Sequence, residues 1–313
     1  MKSNQRPNSL AAYAITLVAI LSIAQSSATE TSPAINEVKW IHGAVDCAAN
    51  KDPAIQVYRQ DEHSYVLRQN KCLGYEAPFI YVLLGDKRAL VLDTGATLDA
   101  EAFPIYDTVK SLTGNRDLLV LHSHSHRDHY AGDEQFAGKP GVELVAPSAK
   151  GLASFLAGIK SRSGTYTIEL GNRELTLVTI PGHQEESIAV YDAQTQWLLT
   201  GDTVYPGLIY VKNWDAYLGS ISALAIFAES HEINAVLGAH IEMTTTANRL
   251  YPIGTIYQPE EAALPLDPAL LKQLNDALQL SAKAETVQLD ELTVEPMSRV
   301  QKTISKIVRF FTK

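Results

Sequence analysis

Apolar positions fall in two rhythms along this chain. Short apolar runs bounded by turn formers mark strands, and stretches with apolar residues three and four apart mark helices. Strands are predicted at 55–58, 65–67, 79–84 and 89–92, with Gly85-Asp86-Lys87 separating the last two as a tight hairpin turn would. A helix over 100–112 precedes a strand at 118–121, and a second helix follows at 148–160. Strands are then predicted at 166–170, 174–180, 187–191 and 197–199, a helix at 216–230, a short strand at 235–237 and a helix at 268–282. Strands interleaved with helices, with polar motifs in the loops, predict a layered α/β (α+β) domain.

The two ends of the chain depart from this pattern. Residues 10–24 form one apolar run, preceded by Lys2 and Arg6 and followed by Ser26-Ser27-Ala28. That order is expected of a secretory signal peptide over 1–28, and the run is short against the roughly 20 apolar residues of a bilayer span. The expected organisation is a signal peptide at 1–28, an N-terminal extension at 29–53, a catalytic domain at 54–260 and a C-terminal helical extension at 261–313. The expected location is periplasmic or secreted. Near the other end, Met297, Val300, Ile304, Ile307, Val308 and Phe311 fall at helical spacing among Arg299, Lys302, Lys306, Arg309 and Lys313. Such a helix either docks on its parent domain with a solvated basic face, the reading preferred here, or touches a membrane surface.

Composition narrows the function classes. The chain has 313 residues, 46% hydrophobic and 19% charged, enough to bury a core. Its formal net charge is −9; removing Lys2 and Arg6 with the leader leaves 24 basic against 35 acidic residues, or −11. A chain this acidic has no general attraction to nucleic acid. The two cysteines are Cys47 and Cys72. In an oxidising compartment they are expected to pair; the alternative is two small apolar side chains. Neither has a CxxC partner, which argues against a cysteine-type zinc site.

The chemistry lies with the histidines. Of nine, His122, His124, His126 and His129 lie within eight residues, directly after a predicted strand. In an extended segment His124 and His126 point the same way, while Asp128 and His129 follow the turn, so one loop can feed two neighbouring metal positions. Three further ligand types stand just after apolar strands, each beside a glycine: Pro181-Gly182-His183, Gly201-Asp202 and Gly238-Ala239-His240. Each alone is a common loop sequence; their succession is what carries weight.

With Asp93-Thr94-Gly95 in front, this order closely resembles the metallo-β-lactamase-fold hydrolases over residues 55–245. The resemblance implies an αββα sandwich with metals at one edge. It implies that His124, His126 and His183 bind one ion, that Asp128, His129 and His240 bind a second, that Asp202 bridges them, and that Asp93 holds the metal loop through hydrogen bonds. Two divalent ions are expected, zinc foremost, with iron or manganese as options. They would clamp a shared hydroxide for attack on a carbonyl, with Asp128 orienting it and passing its proton to the leaving group.

Tyr205, three residues after Asp202, sits where lactonases of this superfamily place a tyrosine that donates to the developing oxyanion; it could equally pack beneath the metal loop. Tyr210, Lys212 and Trp214 could line a wall for an apolar or aromatic substrate, or simply pack. His122 is at most a supporting group, His231 is expected to end a helix, and His42 and His63 carry no motif. The bridging Asp202 favours an ester, lactone or thioester of a small molecule over a β-lactam. Alternatives are a metallo-β-lactamase, an iron-dependent oxidoreductase like the persulfide dioxygenases, and a metal-binding protein without activity. No glutathione site is recognisable in 241–313.

Overall fold

The computed structural model describes residues 1–2, 33–162, 164–281 and 283–303. The expected signal peptide and most of the basic C-terminal helix lie outside the described residues. Among the described residues no helix is long and apolar enough to cross a membrane.

Two sheets face each other. The first carries β1 (Ile55–Arg59), β2 (Ser64–Gln69), β3 (Phe79–Leu84), β4 (Arg88–Leu92), β5 (Asp117–Leu121) and β6 (Val142–Leu144) in chain order. The second runs β14 (Pro265–Leu266), β13 (Ala235–Gly238), β11 (Trp197–Gly201), β10 (Ile188–Asp192), β9 (Glu174–Thr179), β8 (Thr165–Glu169), β7 (Lys160–Arg162). β12 (Leu208–Val211), β16 (Thr293–Pro296) and β15 (Val287–Gln288) form a small third sheet.

The central strands read as unbroken apolar runs because both their faces are covered. In β3, Phe79, Tyr81 and Leu83 meet Leu177, Val190, Leu199 and Leu237 of the second sheet, forming the inner core. The alternate residues Ile80 and Val82 turn outward onto Phe103 and onto Ile105 and Val109 of α1 (Ile105–Thr113). On the opposite outer face Ala189, Leu198 and Val236 pack against Tyr217, Ile221 and Leu224 of α4 (Trp214–Ser230) and Leu270, Leu271 and Leu274 of α5 (Ala269–Leu280). The layers are therefore helix, sheet, sheet, helix, the sandwich expected from the motif order.

A buried ion pair joins the sheets. Arg173 donates to both Asp192 carboxylate oxygens (Nε–Oδ1 3.0 Å, Nη2–Oδ2 2.6 Å), to the His63 and Leu84 carbonyls at 2.7 and 3.2 Å, and to the Ser64 hydroxyl at 2.9 Å. Cys47 and Cys72 form a disulfide with Cα atoms 5.3 Å apart.

Some elements differ from expectation for local reasons. The helix expected from residue 100 begins at Ile105, with Pro104 as its N-cap; the proline ring supplies no N–H and resists a helical interior. α3 (Ala149–Ala157) starts one residue late because the Ser148 hydroxyl caps it, accepting from the Gly151 amide at 3.1 Å. β6, β7, β12 and β14–β16 are strands of two to four residues. The segment beyond 261, expected to be helical, is helical in α5 and also supplies β14 to the second sheet and β15 and β16 to the third.

Candidate metal centre

The strands deliver their ligand-type residues to one edge. β4 and β5 run parallel, β11 and β13 run parallel, and β9 is antiparallel to β10, which is antiparallel to β11. The C-terminal ends of β4, β5, β9, β11 and β13 therefore lie together, and Asp93, the 122–129 loop, His183, Asp202 and His240 follow them. Glycines permit the crowding. Gly201 has φ +54°, and a Cβ there would stand 2.5 Å from the Ser123 Cβ. At Gly182, φ +151°, a Cβ would meet the Tyr217 Cα at 2.6 Å. Side chains do not fit at either place.

The seven expected ligands form two groups sharing one carboxylate: His124, His126, His183 and Asp202; and Asp128, His129, Asp202 and His240. Within each group one ligand atom per residue lies within 4.8 Å of the others. In the first, His126 Nδ1 lies 2.9 Å from His124 Nε2 and 3.1 Å from His183 Nε2. Asp202 Oδ2 is 3.6 Å from His124 Nε2 and 3.7 Å from His183 Nε2. In the second, Asp128 Oδ2 is 3.1 Å from His129 Nε2 and 3.3 Å from His240 Nε2, and Asp202 Oδ1 is 3.3 Å from His240 Nε2.

Hydrogen bonds behind the rings aim the inward nitrogens. The His183 Nδ1 donates to the Tyr210 carbonyl at 2.7 Å and the His240 Nδ1 to the Glu76 carbonyl at 3.0 Å. Asp93 accepts from the His129 Nδ1 at 2.8 Å, from the Ser123 amide at 2.7 Å and from the Ser123 hydroxyl at 2.8 Å. With its proton given to Asp93, the Ser123 oxygen can accept from the His124 Nδ1, 3.2 Å away. One buried carboxylate thus orients two imidazoles, His129 directly and His124 through Ser123, and turns their Nε2 atoms inward.

The electrostatics of the two groups differ. Burial, with neighbouring imidazoles adding to it, holds His124 well below the usual histidine range and His126 down to about 3. At His129 and His240 burial pulls the same way, but Asp128 and Asp202 outweigh it; His129 is raised well above the usual range and His240 to about 9. Burial pushes the Asp128 and Asp202 carboxyls up, and the surrounding histidines overcome this and hold both well below the usual carboxylate range. Three imidazoles with the Asp202 carboxylate in one group, and two imidazoles with the Asp128 and Asp202 carboxylates in the other, are donor sets that fit a cation. Asp202 Oδ1 sharpens the fit, being a buried oxygen that accepts no hydrogen bond.

The centre opens into a cavity of about 250 Å³, whose wall includes Tyr75, Glu76, Tyr210, Glu242, Ile253 and Met297. The sequence reading missed Glu76, Glu242 and Gln184. Glu242, two residues past His240, was the most accessible of these signals. Gln184, next to His183, places its Nε2 2.6 Å from the His126 Nε2.

Tyr205 reaches the cavity wall, but the oxyanion role expected for it lacks a free proton. Its hydroxyl donates to the Leu208 carbonyl at 2.6 Å, with the Glu242 carboxylate at 3.1 Å as the competing acceptor. Burial, with Glu242 beside it, raises the phenol well above its usual range. The geometry supports packing beneath the loop. His122 stands outside both groups, 2.8 Å from Asp133. His231 does end a helix, as the C-cap of α4 stacked on Phe227 at 3.7 Å.

Comparisons with known proteins agree with this geometry. The profile of the metallo-beta-lactamase superfamily matches residues 73–240, more than half of the chain. The chain is 27% identical over 222 residues to the acyl-coenzyme A thioesterase MBLAC2 of Gallus gallus, covering 57% of this chain and 77% of that protein. It is 27% identical over 142 residues to a hydroxyacylglutathione hydrolase of Hyphomonas neptunium, covering 44% and 52% respectively. Among solved structures, a metallo-beta-lactamase from Erythrobacter litoralis shares the fold with a TM-score of 0.50 at 14% identity, over 74% of this chain and 98% of that one. The helix–sheet–sheet–helix layers, the ligand-type residues gathered at one strand edge and the sequence match place this chain among the hydrolases of the metallo-β-lactamase superfamily.

Proposed function

We propose that the chain is an exported hydrolase of a small-molecule thioester, working with two divalent ions, zinc foremost. The observation that carries the dinuclear part is Asp202: it belongs to both ligand groups, and its Oδ1 is buried without a hydrogen bond. When bound, such an ion pair would supply a water acidified toward neutrality and would polarise the scissile carbonyl. His124 Nε2, His126 Nδ1 and His183 Nε2 would hold one ion, Asp128, His129 Nε2 and His240 Nε2 the other, and Asp202 both.

The remaining work falls to side chains. Asp128, held anionic by His129 and His240, has its side chain 17% exposed, enough to orient a water and carry a proton to the leaving atom. The proteins named above act on acyl-coenzyme A and hydroxyacylglutathione, both thioesters. Chemistry favours the same bond here. A thiol has a pKa of about 8.5, so its thiolate leaves with little help from an acid. The engaged Tyr205 hydroxyl argues against a lactonase that depends on it. Export is supported by the leader-like pattern at 1–28 and by the Cys47–Cys72 disulfide, a bond that persists in oxidising compartments.

Metal analysis of the purified chain, with turnover of an acyl-coenzyme A, a glutathione thioester, an acyl-homoserine lactone, a nitrophenyl ester and a chromogenic cephalosporin, tests this reading. Two equivalents of metal with preferred thioester turnover are expected. One equivalent of iron with dioxygen uptake and no hydrolysis would overturn it, as would preferred cleavage of the cephalosporin. Fractionation of cells expressing the full chain tests export; retention in the cytoplasm would reject it.

A further inference from the structure

A second cavity, about 660 Å³, differs from the metal-side one in the sign of its charged lining. Its lining includes Lys212, Lys283 and Lys302, with Asp215 as the one acidic group among the described residues, in a chain whose net charge is −9. The lysines arrive from three separate places: the residue after β12, the segment after α5, and the C-terminal stretch. Asn213 and Trp214, the N-cap and first residue of the 17-residue helix α4, complete the wall, so the positive end of that helix faces the same space.

β12 joins the two cavities. Tyr210 lines the metal-side cavity and Lys212, two residues on, lines the lysine cavity. The Lys212 amide donates to the Gly182 carbonyl at 3.0 Å and its ammonium to the Gln184 Oε1 at 3.1 Å, the two residues that flank His183. Among the described residues no Lys or Arg lines the metal-side cavity, which holds Glu76, Asp128 and Glu242. Among the described lining residues, the positive side chains that an anionic portion of a substrate would meet lie in the lysine cavity.

We propose that the lysine cavity binds a phosphorylated anion and, resting on the thioester reading above, that it seats the phosphates of a nucleotide-type thiol carrier while the acyl group enters the metal-side cavity. Compact ammonium groups at a helix N-terminus suit phosphate oxygens, and the volume lies within the range of small-molecule sites.

Binding is measured first on chelator-stripped protein, so that no metal can capture the probe. Adenosine 5′-diphosphate is expected to bind one per chain, more weakly as salt rises, and about tenfold or more weakly in Lys283→Gln/Lys302→Gln. No binding, or binding unaltered in that variant, overturns the proposal. Kinetics on metal-loaded protein give the second arm. The double substitution is expected to raise KM for an acyl-coenzyme A about tenfold more than for a glutathione thioester, which carries carboxylates and no phosphate. Equal changes for the two substrates, or a larger one for the glutathione thioester, overturn it. If no thioester is turned over yet nucleotide binding still depends on Lys283 and Lys302, the cavity assignment stands and the thioester reading falls.

Discussion

The two ligand groups share Asp202 and differ in everything around it. In the His124–His126–His183 group, burial and mutual proximity keep the rings neutral, so their lone pairs are available at ordinary pH. In the other, Asp128 and Asp202 draw protons onto His129 and His240. The first group is preorganised for a cation, and the second holds protons in a cation's stead. On the two-ion reading proposed above, loading the second group would release protons, and its affinity should climb with pH more steeply than that of the first.

The largest test of this contrast removes what the groups share. Asp202→Asn is expected to abolish turnover and to reduce bound metal below one equivalent; full retention of two ions would break the comparison at its root. Removing one ligand from each side separates the groups. His240→Ala should leave about one equivalent, bound with little dependence on pH, whereas His183→Ala should leave an ion whose binding strengthens as pH rises. Both follow from metal titrations at several pH values, and identical profiles would erase the distinction. Asp128→Asn should lower kcat by roughly 10²–10⁴ while sparing the first group's ion, as steady-state kinetics with metal analysis would show.

A smaller effect, about 10- to 100-fold in metal affinity, is expected for Asp93→Asn, because that side chain orients His129 and, through Ser123, His124. It should weaken both sites; loss confined to one would show that the Ser123 link does no work. The mildest test is the stability of the chelated protein. His240 is raised from about 6.5 to about 9, so its contribution is fully present below pH 6.5 and is lost as pH rises through 9. Lys71, lowered by burial to about 8, acts in the opposite sense only above that value. The melting temperature of the metal-free protein should therefore fall between pH 6.5 and 8, and reloading with zinc should flatten the slope.

The same contrast shows what could be read in the chain. The first group was legible because period-two alternation places His124 and His126 together and because His183 follows a long apolar strand. The sandwich was legible because buried strands leave unbroken apolar runs such as 79–84. The short strands β6, β7, β12 and β14–β16 were not foreseen: two to four residues are too few for the period-two or run pattern to be told from a loop, and the equally short β13 was foreseen only because a ligand motif follows it. Tyr205 occupied a suggestive offset, yet its role turned on the Leu208 carbonyl and on Glu242, 37 residues further along. Glu76 shapes the centre through its backbone carbonyl, which any residue type there would supply. The lysine cavity gathers residues up to 90 positions apart, a proximity visible only once the chain is folded.

The Arg173–Asp192 pair has one further consequence. Leu84 and Asp192 end β3 and β10, which run antiparallel to β4 and β11, so the pair lies at the end of the sandwich remote from the candidate centre. It fastens the two sheets like the spring of a clothes peg, leaving the jaws at the other end to grip an ion. A frame closed at the far end would leave the ligand-type residues gathered whether or not an ion is bound. For the exported chain proposed above, such a frame would let the polypeptide fold on the far side of the membrane before any metal is taken up.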